Sequence, residues 1–171
     1  MPHMKTFPRP IESNDQENKS GHRGGLLLML AIYSNPRWLS VVRGAVERLT
    51  ETLGFPAMQG RSITRAVDEA LTNIVRHSYG NRLDQPIALY FRSAKRCEQG
   101  EIESGLEILL CDRGRAFDVN KLRGRPPEQI RPGGLGLHLI RRAMDTVEFT
   151  RKGLTNQLRL VKYFAQASDA P

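Results

Sequence analysis

"DEALTNIVRHSYG" (residues 68–80) combines the pattern of a core helix with polar residues that such a helix does not need. At 100° per residue, Ile63, Ala66, Val67, Ala70, Leu71 and Ile74 share one face, and the spacing predicts a helix from near Ser62 to Gly80. Arg65, Glu69, Asn73 and Arg76 form a stripe along the edge of that face, with His77 nearer the core side. A residue at such a boundary can be half-buried and still reach a cleft. An amide oxygen suits Mg²⁺, which prefers oxygen ligands and keeps most of its waters. A carboxylate one turn away can take a proton from an attacking hydroxyl. Taken alone, the same spacing also describes an ordinary solvated helix flank.

The segments on either side of this helix set the fold class. Upstream, "GLLLMLAIY" (25–33) reads as a buried strand. "NPRWLSVVRGAVERLTETLG" (35–54) reads as a helix with Asn35 as N-cap, Pro36 at its first position and Gly54 as its stop; Trp38, Val41, Val42, Ala45, Leu49 and Leu53 form the apolar stripe. Downstream, "PIALYFRS" (86–93) and "GLEILLCD" (105–112) are strands joined by a charged loop. A stretch with little pattern runs from Arg113 to Pro132. "GGLGLHLIRRAMDTV" (133–147) is a glycine-rich entry into a third helix, with Leu135, Leu139, Ile140, Ala143 and Met144 facing inward. "EFTRKGLTNQLRLVKYF" (148–164) is a hairpin turning around Lys152-Gly153. This order implies an α/β (α+β) two-layer sandwich: one mixed, mostly antiparallel sheet covered on one face by helices. Residues 1–24, polar and proline-containing, read as a disordered N-terminal tail; 25–165 form the domain and 166–171 a C-terminal tail.

A chain of 171 residues suits one domain with a real core. Its longest apolar run, "LLLMLAIY" (26–33), is far short of the ~18 residues a membrane helix needs, and no small-residue cleavage site follows it. Neither a membrane span nor a signal peptide is expected. Cys97 and Cys111 make no disulfide framework or metal set; Cys111 reads as a small core residue and the setting as cytoplasmic. The net charge of +8 is spread along the chain without interleaved aromatics, so a nucleic-acid groove has only the charge behind it.

Two further stretches carry chemistry. In "ILLCDRGRAFD" (108–118) an apolar strand delivers Asp112 at its end, and Gly114 permits a sharp turn or a close approach to a ligand. Such a carboxylate can accept a hydrogen bond from an exocyclic amine; Asp-x-Gly is also an ordinary turn. In "RPGGLGLHLI" (131–140) three glycines precede a helix, whose free N–H groups and dipole favour an anion. A flexible hinge would look the same. The stretch is not GxxxxGK[ST], because no lysine follows, and it lies too late in the chain for a GxGxxG after a first strand.

Together these stretches resemble the anti-sigma-factor serine kinases, the RsbW-like group of the GHKL ATPase superfamily that also holds the histidine-kinase catalytic domains. "EALTNIVRHSY" is similar to their N box, "DRGRAFD" to the first glycine box and "GGLGLHLIRRAMDTVEF" to the second, over about residues 26–163. The resemblance implies a Bergerat-type ATP-binding fold that uses ATP and Mg²⁺. It implies Glu69 as general base for serine phosphorylation, Asn73 as the Mg²⁺ ligand through its amide oxygen, and Asp112 with Gly114 as the adenine reader. Gly133, Gly134, Leu135, Gly136 and Leu137 would cradle the phosphates, His77 would join the nucleotide-binding set, and residues from about Asp118 to Gly133 would form a short ATP lid. The chain leaves no room for the dimerisation helix and phosphoacceptor histidine of a histidine kinase, which favours a protein-serine kinase acting in trans. One departure stands out: the first glycine box usually reads D-x-G-x-G, and here Ala116 holds the second glycine's place. Were φ positive there, alanine would cost about 1 kcal/mol.

The expected function is therefore an ATP-dependent protein-serine kinase and anti-sigma-type regulator of a partner-switching system. Its substrate would be a serine on a STAS-type antagonist, its second partner a sigma factor or another regulatory target, and a homodimer is what the family suggests. An ATP-sensing binding module without kinase activity is the alternative. A basic nucleic-acid-binding domain ranks below both.

Overall fold

A computed structural model describes residues 5–11, 21–98, 100–116 and 135–164, apart from the side chains of residues 21–23 and 135. The elements run β1 (Gly21–Tyr33), a 3₁₀ turn (Pro36–Trp38), α1 (Leu39–Thr52), α2 (Ala57–Asn73) with a π-helical turn (Ile74–Ser78), β2 (Pro86–Glu98), β3 (Glu101–Asp112), α3 (Leu135–Ala143), β4 (Thr146–Lys152) and β5 (Thr155–Phe164). The strands form one five-stranded sheet in the order β1-β2-β3-β5-β4. Every pairing among the described strands is antiparallel, in keeping with the mostly antiparallel sheet expected and without a parallel pair.

Two layers follow from side-chain alternation along these strands. Ile87, Leu89 and Phe91 of β2, Ile108 and Leu110 of β3, and Leu158 and Leu160 of β5 point to the helices, where they meet Val42, Val46, Ile63, Val67, Leu71 and Ile140. Ala88, Tyr90, Leu109 and Cys111 take the opposite face as a smaller cluster under Phe7. Burial pushes the Cys111 thiol up to about 12, so it stays neutral as a core group.

Several boundaries differ from the sequence reading, each for a physical reason. The charged stretch between the two strand runs is strand, not loop: β2 and β3 continue to a tight hairpin with Gly100 at φ +87, and Arg96 ion-pairs with Glu103 across it. Helix α2 begins five residues before Ser62, and Gly60 lets α1 come close, since a Cβ there would lie 2.9 Å from Thr50 Oγ1. The buried stripe of α1 uses Val42, Val46 and Thr50; Val41 faces solvent. Asn35 does cap, its Oδ1 accepting from Arg37 N at 3.1 Å, but at the 3₁₀ turn that leads into α1. Helix α3 stops at Ala143, because Thr146 and Val147 pair with β5.

Of the stretch read as a disordered tail, residues 5–11 and 21–24 are described. Strand β1 starts at Gly21, and residues 5–11 lie against the sheet. The apolar contact of Phe7 and backbone hydrogen bonds to Tyr90 and Gln157 offset the polar composition that suggested disorder.

Candidate functional site

Helix α2 brings Glu69 and Asn73 to its edge as the periodicity requires, both half-buried. Beyond Asn73 the helix widens. Tyr79 N–H donates to Ile74 O at 3.0 Å and Asn81 N–H to Val75 O at 2.9 Å, spacings that an α-helix does not make. The residue beneath Asn73 on the same face is therefore Ser78, five positions on, and not His77. Ser78 is buried and lines a cleft, whereas His77 is exposed and outside its lining. The geometry does not support His77 as a binding residue, and the π turn is the reason.

That cleft, about 690 Å³ out to its open mouth, lies between α2, α3 and the ends of β3, β4 and β5. Asn73, Asp112 and Leu137 line it, together with Arg151 and Asn156, which sequence reasoning missed. The Asn73 amide makes no hydrogen bond to any described residue and is free to act as a ligand.

Asp112 is 4% exposed, at the end of β3, and its two oxygens are used differently. Oδ1 accepts from Gly114 N at 2.7 Å and from Asn156 Nδ2 at 2.8 Å; no described group bonds Oδ2. Burial raises the acid above the ordinary carboxylate range, against the two hydrogen bonds and the Arg151 guanidinium, which favour its charge. Asn156 sits opposite Asp112 in the β3–β5 register. Its amide orientation is set by Arg151, whose Nη1 donates to Asn156 Oδ1 and leaves Nδ2 for Asp112 and for Arg115 O at 3.0 Å. The result is a fixed carboxylate with one oxygen saturated and one left for a ligand's donor.

The turn after Asp112 is clamped from the helix layer. Arg113 N–H donates to the Tyr79 hydroxyl at 2.8 Å, and that hydroxyl donates to Pro86 O at 2.6 Å. Burial, with the Asp112 charge nearby, pushes Tyr79 up to about 12, so it stays protonated for this bridge. Gly114 is needed because a Cβ would lie 2.4 Å from Ser78 O; the close approach is to the chain's own backbone. Asn81 is the one non-glycine residue with positive φ among those described, so Ala116 adopts an ordinary conformation without the cost that its substitution for glycine would otherwise carry.

Glycines on α3 serve the site in another way. A Cβ on buried Gly136 would lie 1.8 Å from Glu69 Oε1, so this position admits the Glu69 carboxylate against the first turn of α3. Leu135 opens the helix, and Leu137 faces the cleft. Gly133, Gly134 and the lid expected at 118–133 lie outside the described residues. Of the residues expected to bind a nucleotide, Asn73, Asp112 and Leu137 thus line one opening. No described group of three or more His, Cys, Asp or Glu forms a separate metal cluster, and no described helix is long and apolar enough to cross a membrane.

Comparison with known proteins agrees with this geometry. A family model described as the histidine kinase-like ATPase domain matches residues 32–162. The chain is 29% identical over 146 residues to a serine-protein kinase RsbW of Oceanobacillus iheyensis, covering 80% of this chain and 86% of that one. A serine-protein kinase RsbW of Bacillus cereus is 30% identical over 135 residues, covering 74% and 79%. The crystal structure of the RsbU and RsbW domains of Rv1364c from Mycobacterium tuberculosis superposes with a TM-score of 0.50 at 14% identity, a likeness of fold. The match covers 79% of this chain and spans 32% of that longer one.

Proposed function

We propose, for a chain that belongs to the histidine kinase-like ATPase family and within it to the RsbW-like group, an ATP-dependent protein-serine kinase activity that serves partner switching. The substrate is a serine of a STAS-type antagonist, and the protein also holds a sigma factor or another regulatory target, in the cytoplasm. One observation carries the reading: among the described residues nothing bonds Asp112 Oδ2 or the Asn73 amide, both residues line one cleft, and Glu69 lies one helical turn from Asn73.

Each residue then has a role that its setting allows. Asp112 Oδ2 accepts from the exocyclic amine of adenine, while Asn156 and Gly114 hold Oδ1. Asn73 would hold Mg²⁺ through its amide oxygen, and the ion, when bound, neutralises phosphate charge. Free N–H groups at the start of α3, around Leu135, Gly136 and Leu137, face the phosphates, with Gly133 and Gly134 preceding them. Glu69, one turn from Asn73 and seated on Gly136, takes the proton of the attacking serine. Little covalent chemistry is asked of the protein beyond this; positioning and charge neutralisation supply the rest.

Transfer of labelled phosphate from ATP to a panel of STAS-type antagonist proteins, each beside its acceptor Ser→Ala variant, tests the activity. The native chain is expected to label only proteins that keep the serine. Glu69→Ala should lower the rate by about 10²–10⁴-fold, the range for a lost general base, with Mg-ATP affinity nearly unchanged. ATP binding without transfer to any antagonist would leave an ATP-sensing module in place of a kinase.

A further inference from the structure

Residues 5–11 precede the part of the chain matched by the family model, and they cross the sheet on the face opposite the cleft. Phe7 lies against Tyr33, ring centroids 5.5 Å apart, and covers the cluster of Ala88, Tyr90, Leu109 and Cys111. Pro8 O accepts from the Tyr90 hydroxyl at 3.0 Å. Thr6 O accepts from Arg113 Nη1 at 3.0 Å, and Ile11 N–H donates to Gln157 Oε1 at 2.7 Å. Lys5 adds an exposed ion pair to Asp84, a weaker tie.

The positions of two of these bonds matter most. Asp112 and Asn156 face each other in the β3–β5 register, with Asn156 Nδ2 on Asp112 Oδ1 inside the cleft. The next residue after each, Arg113 and Gln157, is held by the N-terminal segment. The Asp112–Asn156 pair that lines the cleft is thus gripped from behind at both of its following residues. On the helix side, Tyr79 holds the Arg113 backbone. The Asp112 turn is fixed between two layers, and residues 5–11 supply one of them.

We propose that residues 5–11 are a positioning strap for the nucleotide site, acting through Arg113 and Gln157 to fix the Asp112 carboxylate toward the base. The proposal rests on the reading of the cleft as an ATP site and deepens it with an element outside the matched family region.

The test uses the full chain. Phe7→Ala with Ile11→Pro releases the strap, since proline has no N–H to give Gln157. Arg113→Ala cuts the other link, and a third variant combines all three changes. Calorimetric titration with Mg-ATP and with Mg-GTP, well below each variant's melting temperature, gives affinity and base discrimination. Release is expected to weaken Mg-ATP binding about tenfold and to narrow the ATP-to-GTP preference, and the combined variant should lose no more than release alone, as for coupled residues. A release variant that melts earlier yet binds both nucleotides as the native chain does would show a structural cover only and overturn the proposal. Losses that simply add would also overturn it, by removing Arg113 as the link. A native chain that binds neither nucleotide would instead defeat the reading of the cleft, and the strap's role with it.

Discussion

Asp112 shows how a single residue exchanges stability for function. Its folded pKa is raised by burial, so the native state holds its proton to higher pH than the unfolded chain does. Stability from this group is therefore lost as pH rises from the ordinary carboxylate range through the raised value, and at neutral pH the buried charge is a cost. Asp112→Asn removes that charge while its Oδ1 can still accept from Gly114 and Asn156. The ligand-free variant should melt at or above the native temperature at pH 7 in a thermal scan, and its Mg-ATP affinity should fall at least tenfold, each 1.4 kcal/mol of lost interaction being a factor of ten. A clear loss of stability would contradict this account of the carboxylate. Gly136 gives a second prediction at the same scale. Gly136→Ala puts a methyl group where Glu69 Oε1 lies, so the carboxylate must move. Phosphate transfer should drop by about 10²-fold, as for a misplaced reacting group, with Mg-ATP binding reduced far less. Equal loss in both assays would place Glu69 in binding instead of proton transfer.

The π turn after α2 governs the site at the scale of the element. By widening the helix it puts Ser78 under Asn73 and carries Tyr79 to the Asp112 turn, so the N-box helix and the end of β3 join through Ser78 O, Gly114 and Arg115. Gly114→Ala should force these backbones apart and destabilise the fold by about 1–3 kcal/mol, the usual cost of overpacking, read as a lower denaturation midpoint. A neutral Gly114→Ala would mean that the joint is loose. The sequence shows the edge position of Glu69 and Asn73, because helical periodicity is local, and the arrival of Asp112 at a strand end, because an apolar run precedes it. It does not show the π turn, since one extra residue in a helix leaves no compositional mark, and so it misplaces His77. Asn156 and Arg151 stay hidden because their partnership with Asp112 depends on the β3–β5 register, a long-range pairing that no local pattern encodes. The charged stretch at 94–104 misled for a related reason: its cross-strand ion pair, Arg96 to Glu103, forms only once the hairpin exists.

At the scale of the molecule, the cleft gathers α2, α3, β3, β4 and β5, so a ligand there ties together most of the fold. Residues 5–11 add a partial second cover to a sheet that, among the described residues, helices cover on one face, where composition had suggested disorder. Mg-ATP at about a hundred times its dissociation constant should stabilise the folded chain by about 2.7 kcal/mol, a rise of roughly 5–10 °C in melting temperature for a domain of this size. The shift should follow ATP and not total salt, which separates this reading from general anion binding on a chain of net charge +8. The most direct test of the central claim is calorimetric titration of Mg-ATP into the native chain beside Asn73→Ala, repeated with chelator in place of Mg²⁺. The native chain is predicted to bind one nucleotide with a clear Mg²⁺-dependent gain, and Asn73→Ala to bind with that gain lost. No binding by the native chain, or the same Mg²⁺-dependent gain in the variant, would contradict the assignment of this cleft as an ATP-Mg²⁺ site.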